Sequence, residues 1–166
     1  MDCGLLLVPA QPEELAVVIE ILDQAARWML ERGIWQWETP YPPEVWQRMA
    51  REIENREVYL ARLPGTGEPV GTLRFEWTGT PLWPEEADAG YIHTMALKPA
   101  YMGRQFGKRM LEWAIARIRS RGKRYARLDC MTANRRLRAY YESAGFRYRG
   151  DSLSGAYRLS LYELPL

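Results

Sequence analysis

Two cysteines and a single histidine are all the chain has of the residues that staple or metallate small domains. Cys3 and Cys130 lie far apart and without ligand spacing, which excludes a disulfide scaffold, and no metal is expected. Long hydrophobic runs are missing too. Nothing approaches the ~18 apolar residues of a membrane span, so no membrane partner is expected. The first residues read Met-Asp-Cys-Gly, followed by a short apolar run over 5–8, which does not suit a signal peptide. A reducing, cytoplasmic setting is the expectation. An excess of one charge is also lacking: 23 Lys+Arg stand against 21 Asp+Glu among 166 residues.

What is present is an ordinary globular composition, 47% apolar and 27% charged, which excludes disordered and fibrous classes. The length suits one domain, 1–166, able to bury roughly 70% of its unfolded surface. Near-neutrality hides a division. Residues 101–150 carry 14 Lys+Arg and 3 acids, net +11, while the remainder is net −9. Such asymmetry suits an anionic ligand on one side and a cationic one on the other. It does not suit a nucleic-acid binder, because such domains usually have a pI above ~9 and this whole chain is close to neutral.

Hydrophobic periodicity orders the chain as β-α-α-β-β-β-α-β-α-β-β. Strands are predicted at 5–8, 58–63, 70–77, 91–97, 125–131, 146–149 and 157–164. Helices are predicted from Pro12 to Gly33, from Pro43 or Glu44 to about Asn55, over 103–122 and over 134–143. Pro12 with Glu13 and Glu14 suits a helix start, and Gly145 a helix stop. The architecture is an α/β (α+β) mixed sheet of six or seven strands with about four helices on both faces. The strand–helix–strand unit from 91 to 131 is a parallel, right-handed crossover. A ligand is expected beyond the carboxyl end of strand 91–97, where the next helix begins.

That junction reads Pro99-Ala100-Tyr101-Met102-Gly103-Arg104-Gln105-Phe106-Gly107-Lys108-Arg109. A glycine turn entering a helix among basic residues is a ready phosphate site. It is not a P-loop, since three residues separate Gly103 from Gly107 and Arg109 stands where Ser or Thr is required. It is not a dinucleotide fingerprint either, for want of the third glycine. About thirty residues on comes Asn134-Arg135-Arg136-Leu137-Arg138-Ala139-Tyr140-Tyr141-Glu142-Ser143-Ala144-Gly145-Phe146. Together the two stretches resemble the GNAT superfamily of acyl-CoA-dependent N-acetyltransferases. Its signature pairs a P-x-x-R-G-x-G-x-G-type loop with an N-x-x-x-x-x-[LY]-Y-E-x-x-G-F helix. The element order agrees over about residues 5–164. Pro99, Gly103 and Gly107 fit the loop. Met102 stands where Arg or Gln is usual, and Gln105 where the central Gly is usual.

The resemblance implies a GNAT fold and direct transfer of an acetyl group from acetyl-CoA to a primary amine. It implies that pantetheine adds beside strand 91–97, where backbone N–H groups of Met95, Ala96 and Leu97 polarise the thioester carbonyl. The loop from Met102 through Gly103, Arg104, Gln105, Phe106 and Gly107 to Lys108 is expected to hold the pyrophosphate, with Arg104, Lys108 and Arg109 adding charge. Asn134 matches a residue that touches the pantetheine arm, and its position also suits a helix N-cap. Tyr141 matches the family's general acid. A phenol keeps its proton at neutral pH and can give it to the departing thiolate.

Two residues compete for the role of base. His93 is the only histidine, and an imidazole takes protons near neutrality. Segment 91–97 is similar to the H-x-H-x-L-A-V strand of serotonin-type arylalkylamine acetyltransferases, with His93 matching the second histidine and Tyr91 replacing the first. His93 is expected to share a strand face with Tyr91, Met95 and Leu97. Glu76, on a polar face with Thr72 and Arg74, is the alternative base. Trp35, Trp37, Trp77 and Trp83, with Glu38, Glu85, Glu86 and Asp88, are expected to form an aromatic and acidic acceptor wall. Cys130 is expected in the core rather than as an acyl carrier. The acceptor is expected to be a small-molecule or peptide amine, and the aromatics leave homodimerisation open. A second reading is a non-catalytic acyl-CoA-binding or protein-interaction module on the same fold.

Overall fold

A computed structural model describes residues 4–166, so Cys3 lies outside the described residues. The strands are β1 (Leu6–Pro9), β2 (Val58–Arg62), β3 (Pro69–Glu76), β4 (Ala89–Leu97), β5 (Tyr125–Met131), β6 (Arg147–Ser154) and β7 (Tyr157–Pro165). The helices are α1 (Leu15–Leu30), α2 (Pro43–Glu54), α3 (Phe106–Ser120) and α4 (Arg135–Ser143). All strands join one sheet in the order β1-β2-β3-β4-β5-β7-β6. β4 and β5 run parallel, as a crossover through α3 requires. The other neighbours are antiparallel.

Helices cover both faces. Val18, Ile19 and Leu22 of α1, with Met49 and Ile53 of α2, pack on Val58, Leu60 and Ala96. On the opposite face Met110, Ala114 and Ile118 recur every fourth residue of α3, so one stripe of the helix meets Leu73, Phe75, Ile92 and Leu128. Tyr141 of α4 joins that second core.

Among the boundaries that differ from the sequence expectation, three have a local cause. α3 starts at Phe106 rather than at residue 103, because Gly103 (φ 77°) and Gln105 (φ 61°) both take left-handed backbone that cannot continue into a helix. β4 begins at Ala89, held by pairing of Ala89 and Gly90 with Tyr125 and Ala126. β6 extends to Ser154, well past residue 149. Its polar run Gly150-Asp151-Ser152 hides the strand, which cross-strand pairing to β7 nevertheless maintains.

The feature that makes a site is a wedge in the sheet. β4 and β5 pair only from Ala89↔Tyr125 to Ile92↔Leu128. Beyond that, β4 stays with β3 as far as Gly71↔Leu97, while β5 follows β7 to Met131↔Leu159. Each strand therefore presents an unpaired edge to the gap. A bulge lies at the mouth: β4 spends one residue more than β3 between Arg74↔His93 and Thr72↔Ala96, and Thr94 sits at φ 46°. The bulge overturns the simple alternation expected for this strand. His93 remains on the α1/α2 face with Tyr91, but Met95 and Leu97 turn to the α3 face with Ile92.

Candidate active site

The wedge opens into an apolar cleft of about 310 Å³. Met95, Ala96 and Leu97 of β4 line it, with Met102 and Gly107 from the loop and first turn of α3 and Asn134 at the head of α4. Trp28 and Met29 of α1 and Trp37 form its other wall. The Lys98 N–H donates to the Val70 carbonyl at 2.8 Å. Donors alternate along a strand, so the N–H groups of Leu97 and Met95 face the wedge, where no strand takes them up.

At the loop end, the Arg109 N–H makes the first bond of α3, to the Gln105 carbonyl at 3.1 Å. The N–H groups of Phe106, Gly107 and Lys108 precede that ladder, and Gln105 supplies no side-chain cap. Uncapped donors at the positive end of a helix suit an anion. Gly103, Arg104, Gln105, Lys108 and Arg109 are exposed here, and Phe106 is half-buried. Arg104 lies over the Tyr101 ring at 5.3 Å, and Lys108 is 3.8 Å from Glu112.

Asn134 does cap a helix: its Oδ1 accepts from the Leu137 N–H at 3.1 Å. Its Nδ2 donates to Gln36 Oε1 at 3.2 Å, tying α4 to the segment that follows α1. About two helical turns further on, buried Tyr141 reaches a smaller cavity of about 130 Å³ that it shares with His93, Asp129 and Arg74. Burial, helped by Cys130, Tyr140 and Asp129, pushes the Tyr141 hydroxyl well above the ordinary phenol range, so it holds its proton.

His93 stands between two carboxylates. Its Nε2 is 3.3 Å from Glu76 Oε2, and its Nδ1 is 3.7 Å from Asp129 Oδ2. Arg74 lies 3.5 Å from both Glu76 and Glu52. The neighbouring His93 holds the Glu76 carboxyl below its usual range, outweighing desolvation. Burial pushes Asp129 the other way, above its usual range, although His93 and Arg74 oppose this. Burial also raises Glu57, with Glu52 and Glu76 adding to the effect against Arg74. These groups and residues 78–82 wall a cavity of about 490 Å³ that meets the Tyr141 cavity at His93, Arg74 and Asp129.

Most of the residues expected from sequence to form an acceptor wall lie elsewhere. Trp77 stacks on Phe75 at 4.9 Å within the α3 core. Trp83 is buried against Tyr91, with the Arg127 guanidinium 4.0 Å above its ring. Trp35 stacks on Tyr157 at 4.3 Å. Of the four tryptophans, Trp37 lines the cleft and the Tyr141 cavity. Glu38 is exposed. Glu85, Glu86 and Asp88 gather with Arg124 and Arg149 at the other end of the strands. Thr72 is buried and donates to the Tyr59 carbonyl. Cys130 is fully buried and its thiol is pushed up to about 12, which suits a core residue.

Sequence reasoning missed Asp129, Glu52 and Glu57. The signal for Asp129 was available: Arg127 and Asp129 are two charges in an otherwise apolar strand. Arg127 finds Glu163 at 2.8 Å and the Glu85 carbonyl at 2.9 Å. Asp129 Oδ2 is buried with no hydrogen-bond partner among the described residues. Among those residues, no helix is long and apolar enough to cross a membrane.

Comparison with known proteins bears on the family and the fold. The chain is 27% identical over 157 residues to an uncharacterized N-acetyltransferase of Bacillus subtilis, YesJ, spanning 92% of this chain and 87% of that one. A GNAT-family acetyltransferase structure from Listeria monocytogenes matches with a TM-score of 0.77 at 23% identity, covering 98% of this chain and 95% of the other. An aminoglycoside acetyltransferase solved with coenzyme A and kanamycin matches at 0.76 and 20% identity, covering 98% and 95%. A model of the acetyltransferase (GNAT) family matches residues 20–146, most of the length, and includes both the loop before α3 and the helix bearing Tyr141. The chain belongs to the GNAT acetyltransferase family and is an acyltransferase.

Proposed function

We propose that the protein transfers an acetyl group from acetyl-CoA to a primary amine by direct attack, with no acyl-enzyme intermediate. The observation that carries this reading is the meeting of His93 and Tyr141 at one cavity in the mouth of the wedge. They come from different elements and opposite faces of the sheet. A proton acceptor and a proton donor flank the place where a thioester would lie.

The residues suit coenzyme A. The apolar cleft suits a pantetheine arm, the uncapped start of α3 suits its pyrophosphate, and the aminoglycoside acetyltransferase of similar fold was solved with coenzyme A. Acetyl-CoA supplies the activated acyl group. The N–H groups of Met95 and Leu97 face the wedge and stabilise negative charge on the acyl oxygen. Asn134, Met102 and Gly107 border the arm. Arg104, Lys108 and Arg109 add positive charge beside the phosphates. His93 accepts the proton of the amine, with Glu76 beside it, and Tyr141 gives a proton to the sulfur. Buried Cys130 takes no part.

Calorimetric titration with acetyl-CoA and CoA, followed by thiol release across a panel of amines, tests the reading. Micromolar binding with release on any amine is expected. Failure to bind both acetyl-CoA and CoA overturns it. Binding without release from any amine favours an acyl-CoA-binding module instead.

A further inference from the structure

We infer that Asp129 is the carboxylate on which the acceptor's primary ammonium docks, beside Nδ1 of His93. The inference rests on the transferase reading and adds to it the charge state in which the acceptor arrives and the residue that receives it.

Four observations carry it. First, Asp129 Oδ2 is shut from solvent and has no hydrogen-bond partner among the described residues, a condition that buried carboxylate oxygens seldom keep without a ligand. Second, His93 Nδ1 lies 3.7 Å away. That is beyond hydrogen-bond reach, yet an N–H group seated against both atoms can serve each of them. Third, the nearby cation is committed elsewhere, since Arg74 lies 3.5 Å from Glu52 and from Glu76. Fourth, Asp129 borders both the Tyr141 cavity and the larger one. An acceptor entering through the larger cavity passes Glu52, Glu57 and Glu76, against two arginines, Arg48 and Arg74. That charge balance favours a cation, and Asp129 is the last carboxylate before Tyr141.

The proton account closes. In the tautomer that keeps its proton on Nε2, 3.3 Å from Glu76 Oε2, the Nδ1 lone pair of His93 faces the docked ammonium. The ammonium gives one proton to Nδ1, and the free amine forms the C–N bond as the C–S bond breaks. The nitrogen loses a second proton as the amide forms. The thiolate takes a proton from Tyr141, which is then reprotonated. Of the two protons released, one leaves on the thiol and the other passes to solvent.

His93 is the only histidine, so in untagged, isotope-labelled protein its imidazole resonances identify themselves by nuclear magnetic resonance. The test titrates n-butylammonium chloride into the wild type and into Asp129→Asn near neutral pH, with sodium chloride and n-butanol as controls. A saturable movement of the His93 signals is expected in the wild type, with neither control reproducing it. In Asp129→Asn the same movement is expected to need at least roughly tenfold more ammonium, the loss of one charge-assisted hydrogen bond. Equal responses in the two proteins overturn the inference. So does a wild type that never responds at tens of millimolar. Asp129→Ser replaces the amide variant if that does not fold. Coenzyme A titrations of the same samples keep the two claims apart: a wild type that fails to bind coenzyme A sinks the transferase reading, while the ammonium titration is read independently. Unchanged coenzyme A affinity in Asp129→Asn excludes a general loss of structure.

Discussion

At the scale of single residues, the proposed reaction divides the proton transfers between Tyr141 and His93, and each assignment has its own kinetic signature. Tyr141→Phe removes one oxygen from a buried ring that packs beside Phe146 and Tyr162. It is expected to lower kcat by about 100-fold, at the lower end for a lost general acid, while coenzyme A affinity holds. Unchanged turnover removes Tyr141 from the mechanism. A base must be unprotonated to work, so the rate falls on the acidic side as the imidazole gains a proton. His93→Ala is expected to flatten that limb of the pH–rate profile, and an unaltered limb transfers the role to Glu76, which His93 and Arg74 hold ionised. Cys130 offers a check on burial itself. With its thiol at about 12, the thiolate fraction near pH 8 is about one in ten thousand. In a Cys3→Ser background, Ellman's reagent is expected to label the chain only on unfolding. The same burial ties stability to pH. An unfolded thiol ionises above about 9 while the folded one keeps its proton to about 12, so stability present below pH 9 drains away across that window. Urea midpoints measured from pH 8 upward read the decline, and Cys130→Ala is expected to make it shallower.

Elements place these side chains, and two backbone positions show how tightly. Gln105 occupies left-handed backbone at the head of α3, where the family usually has glycine. Strain of that kind costs about 1–2 kcal/mol, partly offset by the entropy that glycine loses on folding. Gln105→Gly is therefore expected to stabilise the fold by roughly 0.5–1 kcal/mol, read as a higher urea midpoint. Gly71 is the opposite case. A Cβ there would lie 2.9 Å from the Ala96 carbonyl oxygen, and equally close to Leu97 and Met110. Gly71→Ala is expected to cost about 1–3 kcal/mol and to push β4 outward. Coenzyme A affinity falls with it, because the N–H groups of Met95 and Leu97 move. The glycine turn and the Y-Y-E helix were legible from sequence, since each is a local pattern. The left turn at Gln105 was not, because glutamine carries no signal for it.

Across the whole molecule, the charge division of the sequence becomes a division of place only in part. The basic stretch 101–150 builds α3, β5, α4 and half of β6; Arg136 lines the apolar cleft, whereas Arg124 and Arg149 lie with Glu85, Glu86 and Asp88 at the other end of the strands. The acids that matter, Glu52, Glu57 and Glu76, come from α2 and β3 and gather on the other face. Coenzyme A affinity is expected to fall several-fold between low and high salt, as screening weakens the exposed cations at the start of α3. Salt-independent binding would leave the backbone donors as the whole of the phosphate site. The sequence by itself determined the order of elements, the family, the glycine turn before α3 and the helix that carries Tyr141, because periodicity, turn chemistry and a helix motif are properties of neighbouring residues. Tertiary structure alone decided the wedge, the bulge at Thr94 and the meeting of His93 with Asp129, 36 residues apart in the chain. It also decided that Trp77 and Trp83 pack the core while Trp37 lines the site. Those outcomes depend on strand register and on which face a side chain takes, and a one-residue bulge reverses that face without any mark in the local pattern.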